Sequence, residues 1–147
     1  MPSSTEPNLA PLTPEQCQQR VLIRRLPGLE DSSRNWSIWM TLDHLRIVHH
    51  EIARVITDLV NEKIPAGAAS TAAVKPTIIT DEVIVQAYEQ SCEVLQRAIN
   101  DAPNLQTALR FPHPWFGPLD AAGWHALAGT HLGIHRKQIE RIVAGVT

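Results

Sequence analysis

Residues 36–63 read WSIWMTLDHLRIVHHEIARVITDLVNEK and contain neither glycine nor proline. Apolar side chains recur in this stretch at helical spacing, which predicts a long amphipathic helix ended by Pro65 and Gly67. The predicted inward face comprises Met40, His44, Ile47, Val48, Glu51, Ile52, Val55 and Leu59. His44 therefore points into the protein, whereas His49 and His50 fall about 140° and 240° away on other sides of the helix.

The segment before this helix predicts a first, shorter one. Thr13, Pro14 and Gln16 form a capping-box pattern with proline at the first helical position. We expect this helix to run to about Leu26, where Pro27 and Gly28 stop it. The stretch VLIRRL at 21–26 could be a strand in isolation, but the preceding capping box favours the helix.

Two more helices are predicted after the long one. Residues 80–82, Thr-Asp-Glu, provide a cap and first-turn acids for a third helix closed near residues 101–104. Its predicted core stripe is Ile84, Ala87, Tyr88, Ser91, Leu95 and Ala98. Asp120 caps a fourth helix from about Ala121 to Val143. The intervening FPHPWFGPL, residues 111–119, has three prolines and a glycine and is predicted to be irregular. Four such helices predict an all-α fold, an antiparallel four-helix bundle.

Composition restricts the possible function classes. The chain has 147 residues, 44% of them apolar, and a net charge of −2. This size suits one domain, predicted at 13–147 after a flexible lead at 1–12. The charge gives no case for nucleic-acid binding, and no apolar run approaches the ~20 residues of a membrane span. No signal peptide is evident, and the distant Cys17 and Cys92 suggest reduced thiols, so we expect a cytoplasmic protein.

Two histidines on the predicted fourth helix suggest a metal site. His131 and His135 lie four residues apart, one turn along the apolar stripe, and His44 adds a third inward imidazole from another helix. Three neutral histidines on one ion leave coordination positions open, as in catalytic sites. Alternatively, these are separate core or surface histidines. His113, between two prolines, is either a ligand or, as we favour, part of turn packing. Glu51 could orient a ligand imidazole, although a plain surface glutamate is the more common role.

These residues carry a resemblance to a known family. Trp36-Ser37-Ile38, followed by Leu42, His44 and Leu45, looks like the start of the second helix in the DinB-like superfamily of four-helix metal-binding proteins. HPWFGPLDAAGWHALAGTHLGIHRKQ, residues 113–138, is similar to that family's turn, helix-opening tryptophan and His-x-x-x-His pair. The resemblance spans roughly residues 13–145 and implies that His44, His131 and His135 are the metal ligands.

The resemblance also implies a chemistry. Nickel, zinc or iron is expected, and imidazole suits all three. Characterised members imply a transferase that uses a low-molecular-weight thiol; hydrolysis of a small-molecule substrate is a second option. A non-enzymatic metal- or small-molecule-binding stress protein and a metal-free bundle remain as alternatives. Trp115 and Trp124 either line the pocket mouth or pack the loop.

A homodimer is a further expectation. Family members often form dimers, and one face of the fourth helix carries a stripe of small residues. This small-residue face, opposite the histidines, comprises Ala122, Ala126, Gly129 and Gly133. It is either a seam where a second copy approaches or a solvated outer surface.

Overall fold

The fold is described here from a computed structural model, which covers residues 11–71, 73–77 and 81–147. Its helices are α1 (Pro14–Gln18), α2 (Ile38–Val60), α3 (Val83–Asp101) and α4 (Ala121–Val146), with a 3-10 turn at Asp31–Ser33. Its strands are β1 (Val21–Leu22), β2 (Asn35–Trp36), β3 (Phe111–His113) and β4 (Gly117–Leu119). The all-α prediction is confirmed in part: the chain is mostly helical, but it also contains two small two-stranded sheets. Most of the predicted N-terminal lead, residues 1–10, lies outside the described residues.

The long helix α2 is the element on which the others pack. The Ser37 side chain accepts a hydrogen bond from the Met40 amide (3.1 Å) and so caps its first turn. Both α3 and α4 pack against it, and their shared core includes Val55, Ile56 and Trp124. The predicted second helix is therefore confirmed to within a few residues at each end.

The predicted first helix is wrong over most of its length. Its capping box forms at Thr13, but helix α1 ends at Gln18, and Val21 and Leu22 then pair antiparallel with Trp36 and Asn35. A helix of five residues is not stable by itself, and β-branched side chains favour the extended form, so pairing with β2 overrides the local start signal. The strand alternative for 21–26 was the better one at Val21 and Leu22.

The prolines of residues 111–119 do not prevent regular structure. Strands β3 and β4 form a short antiparallel hairpin, with Phe111 opposite Leu119 and His113 opposite Gly117. Gly117 has a φ of 70°, which glycine tolerates and which helps the chain to turn. The prediction of an irregular segment is therefore wrong, because proline is compatible with a two-stranded ribbon that has free edges.

The ends of α3 and α4 differ slightly from prediction. Thr80, the predicted cap of the third helix, lies outside the described residues; Asp81 accepts a hydrogen bond from the Val83 amide at 2.9 Å. Of the predicted stripe on α3, Ile84, Ser91 and Leu95 are buried. Asp120 caps α4 as predicted, accepting from the Gly123 amide at 2.8 Å.

A second apolar cluster fixes the N-terminal segment. Ile23 and Leu26 pack with Ile38 of α2 and Ile142 of α4, so the residues after α1 bridge the start of one long helix and the end of another. This bridge places Trp36 and Ser33 between α2 and α4. In the described part of the chain, no helix is long and apolar enough to cross a membrane.

Candidate metal centre

Three histidines from two helices meet between α2 and α4. His44 comes from α2, and His131 and His135 come from adjacent turns of α4. One ring nitrogen of each lies within 4.8 Å of those of the other two, and the Nε2 atoms of His44 and His131 are 3.0 Å apart. We call these three residues the histidine cluster. The structure thus brings together all three histidines that the sequence placed on inward faces.

The orientation of His44 is fixed by the backbone of the segment that follows α2. Its Nδ1 lies 2.5 Å from the carbonyl oxygen of Val74. Because a carbonyl oxygen only accepts, Nδ1 carries the proton and Nε2 carries the lone pair. That lone pair points toward the other two histidines.

His135 is fixed in the same way by a side chain. Its Nδ1 is 2.8 Å from Oε1 of Gln138, and Nε2 of Gln138 donates to the Ser33 carbonyl at 2.7 Å. The second contact decides which end of the amide faces His135, since only the NH₂ group can donate to a carbonyl. His135 therefore also has its proton on Nδ1 and its lone pair on Nε2.

His131 is the member without such a partner. Its Nδ1 atom is buried and has no hydrogen-bond partner in the described part of the chain. Its Nε2 instead faces the lone pair of His44 Nε2. A buried ring nitrogen without a partner is costly in free energy. In native proteins, such an unpartnered atom is often found where a water or an ion also belongs to the site.

The imidazoles of the cluster are neutral at pH 7. Burial, and then the neighbouring His135 and His44, lower the pKa of His131 to about 2. Burial, followed by the charge of His44, lowers the pKa of His135 to about 4. Burial also lowers the pKa of His44. Neutral imidazoles with free lone pairs are the form that binds divalent metals.

The spacing of the cluster fits one metal ion. Two nitrogens on a tetrahedral zinc ion lie about 3.3 Å apart, given Zn–N distances of about 2.0–2.1 Å. The observed 3.0 Å between two Nε2 atoms is close to that value. Hydrogen bonds to the remaining ring nitrogens of His44 and His135 match the usual support of metal-binding imidazoles. These residues could therefore hold a metal ion.

Trp36 and Lys75 complete the surroundings of the cluster. The ring of Trp36 stacks on His135, with centroids 5.9 Å apart and planes 9° apart, and lies 5.1 Å from His44. Lys75 lies over Trp36, 5.7 Å from its ring centroid, and pairs with Glu30. A positive charge therefore lies near the cluster but is largely balanced by Glu30.

The cluster opens into a cavity of about 120 Å³. Much of its wall is apolar, and its polar side chains include the histidine cluster and the charged residues Glu30, Glu51 and Lys75. The apolar lining includes Val48, Ile52, Val74, Trp124 and Leu127. An apolar cavity with a few convergent polar groups is the usual form of a small-molecule site.

The remaining predicted residues lie around this cavity. His113 lines it, and its Nδ1 accepts from the Trp115 amide at 3.1 Å; within the described residues it is not part of the metal-compatible group. This is the turn-packing role. Glu51 also lines the cavity, but its carboxylate pairs with Arg54, 2.5 Å from Nη2. The Nδ1 atoms of His44 and His135 have other partners, Val74 and Gln138. The role of Glu51 in orienting an imidazole stays a prediction.

Both predicted tryptophans line the cavity, in different settings. Trp124 is buried and donates to the Phe111 carbonyl at 3.1 Å, which joins α4 to the hairpin. Trp115, at the hairpin tip, is 56% exposed and lies at the cavity mouth. The packing role therefore belongs to Trp124, and the position at the mouth belongs to Trp115.

One inward histidine was missed. His49 is buried against α3, with Nδ1 3.4 Å from Ser91 Oγ and 3.7 Å from Cys92 Sγ. Helical periodicity placed it about 140° from the apolar stripe that contains His44. A central helix with neighbours on two sides buries more than one stripe.

Comparison with known proteins agrees with the geometry. A family model described as the DinB superfamily matches residues 1–139. The chain belongs to the DinB superfamily. The comparisons with curated proteins and with solved structures give no match. The histidine cluster, which could hold a metal ion, thus lies within a chain of the DinB superfamily.

Proposed function

We propose that this DinB protein is a metal-dependent transferase that uses a low-molecular-weight thiol, with His44, His131 and His135 as the metal ligands. The observation that carries the proposal is the convergence of three neutral imidazoles on the cavity, two of them with hydrogen-bonded Nδ1 atoms. A divalent ion there would lower the pKa of a thiol and so supply a nucleophile at neutral pH. Imidazole ligands suit nickel, zinc and iron alike.

The residues of the chain would bind and orient the reactants. Val74 fixes the ring orientation of His44, and Gln138 fixes that of His135. The apolar part of the cavity wall excludes water from the reacting groups. In the reaction, the thiol loses its proton to solvent, a sulfur–carbon bond forms and the leaving group departs from the electrophile. Among the described residues that line the cavity there is no cysteine, which favours a thiol brought in as cosubstrate.

Metal content tests the site directly. We expect near one transition metal per chain, by elemental mass spectrometry on untagged protein, and its loss in His44→Ala and His135→Ala. His125→Ala is the matched control, because His125 is an exposed histidine of α4. No metal in the wild type after incubation with nickel, zinc and iron salts would contradict the proposal.

Turnover tests the reaction. The metal-loaded protein should consume a thiol and a chromogenic alkyl or aryl halide in equal amounts, with saturation in both. Release of product without thiol consumption would indicate the hydrolase instead. Metal binding without any turnover would indicate the non-enzymatic binding protein. Glu51→Gln should slow turnover at unchanged metal content if Glu51 assists the reaction.

The finer architecture and assembly belong to the same proposal. Family membership and the packing of α3 and α4 on α2 support an antiparallel four-helix bundle.

We also propose a homodimer on the family resemblance. A Cβ atom built at Gly129 or Gly133 meets nothing within 4 Å, so a second copy could approach this part of the small-residue face. Sedimentation equilibrium checks this, and a monomer at micromolar concentration would contradict it.

A further inference from the structure

Asp43, immediately before His44 in α2, is a fully buried carboxylate. Its Oδ2 accepts hydrogen bonds from the amide and hydroxyl of Thr77, at 2.7 and 2.6 Å. Its Oδ1 accepts from Nε and Nη2 of Arg46, at 3.0 and 2.8 Å. A buried charge is tolerated only when it is paired and hydrogen-bonded, so these contacts account for its presence.

Residues 74–77, which we call the strap, are held to the rest of the protein at three points. The Val74 carbonyl contacts His44, and Lys75 binds Glu30 together with Ser32 and Ser33. Thr77, three residues after Val74, binds Asp43. Two consecutive side chains of α2 therefore hold the two ends of the strap.

We propose that Asp43 is a positioning residue for the metal site. By holding Thr77, it places the strap so that the Val74 carbonyl fixes the tautomer and ring orientation of His44. The inference rests on the proposed metal site and adds a residue that does not itself touch the metal. Without the bond between Asp43 and Thr77, the side-chain contacts of Lys75 alone would hold the strap after Val74.

This arrangement links the segment after α2 to metal affinity. Partners of metal-binding imidazoles set their orientation, and their loss typically weakens metal binding about 10- to 100-fold. The Val74 carbonyl cannot be removed by side-chain substitution. The contact can be loosened through Thr77, which is exposed apart from its bonds to Asp43.

The experiment measures Co²⁺ binding by competition with a chelator and by the visible absorption of bound Co²⁺. We expect Thr77→Val to raise the dissociation constant about 10-fold, because it loses the hydroxyl donor. Thr77→Ser, which keeps that donor, should stay within about 2-fold of wild type. Asp43→Asn should weaken binding at least as much as Thr77→Val and change the Co²⁺ spectrum. Asp58→Asn, an acid further along α2, is the matched control and should bind as wild type.

Stability measurements separate positioning from a general structural role. A purely structural role predicts that Thr77→Val and Asp43→Asn lower the melting temperature of the metal-free protein but leave Co²⁺ affinity and spectrum unchanged, and that result would overturn the proposal. If Asp43→Asn does not fold, the exposed Thr77 variants decide. A wild-type protein that binds no Co²⁺ would overturn the proposed metal site, and with it the positioning role. Intact wild-type binding with unaffected variants would overturn the positioning role alone.

Discussion

Replacing Gln138 by leucine should weaken both the fold and the metal site. The Gln138 side chain is fully buried and connects two groups by hydrogen bonds, Nδ1 of His135 and the carbonyl of Ser33. Leucine has a similar volume but neither donor nor acceptor. The substitution therefore leaves one buried donor and one buried acceptor unpaired while keeping the cavity filled.

The magnitude follows from those two groups. A buried polar group left without its partner costs about 1–3 kcal/mol. Two such groups cost about 2–6 kcal/mol, and the greater apolar burial of leucine returns on the order of 1–2 kcal/mol. We expect the free energy of unfolding of the metal-free protein to fall by about 1–4 kcal/mol. Metal affinity should fall about 10- to 100-fold, because His135 loses the partner that orients its ring.

Urea denaturation at pH 7.5 measures the first quantity and chelator competition the second. Gln96→Leu is the matched control: Gln96 is an exposed residue of α3 whose side chain bonds to that of Asn100, so its loss should cost less than about 0.5 kcal/mol. A loss below 1 kcal/mol for Gln138→Leu, with unchanged metal affinity, would refute the assignment of the Ser33–Gln138–His135 chain.

Three further outcomes are expected. Burial lowers the pKa of His49 to about 4, against about 6.5 in an unfolded chain, so only the unfolded state takes up this proton as the pH falls from 6.5 toward 4. Stability should therefore drop by on the order of 2 kcal/mol between pH 7.5 and 5 from this group, and His49→Gln should flatten that part of the urea-measured pH profile. An equally steep profile would exclude His49 as the source. Gly133→Ala should stabilise the monomer by about 1 kcal/mol, because its Cβ meets nothing within the described chain and alanine favours helix; destabilisation at concentrations where the protein dimerises would place the second copy on this face. A metal at 100 times its dissociation constant should add about 2.7 kcal/mol to the unfolding free energy of the wild type but nothing to that of His135→Ala; equal gains would place the metal elsewhere.

The long helices could be predicted because their signals are local. Helical spacing in residues 36–63 and the cap at Asp120 each act within a few turns, and the structure follows them. The short strands could not be predicted in this way. Val21 is extended because it pairs with Trp36, fifteen residues later in the chain. The packing of Ile23 against α2 and α4 holds the two segments together.

The same division holds within the site. The histidine cluster was predictable because each imidazole lies on an inward helical face. Its supporting contacts come mainly from outside the helices, since Val74 and Ser33 contribute backbone carbonyls that carry no signal in the residue type. Gln138 is the exception: it lies three residues after His135 on the same face, which is the spacing at which helical side chains can hydrogen-bond.

The three histidines differ in whether their tautomers already suit metal binding. His44 and His135 already have their protons on Nδ1 and their lone pairs directed inward, so binding an ion requires no change of tautomer in either. His131 must give up the proton that its Nε2 shares with His44 and carry one on Nδ1, where it has no partner in the described residues. Part of the binding free energy is therefore spent at His131. A hydrogen-bond acceptor introduced near Nδ1 of His131 would recover that part of the binding free energy. The metal affinity of the site can therefore still be increased at His131, whereas His44 and His135 already have partners.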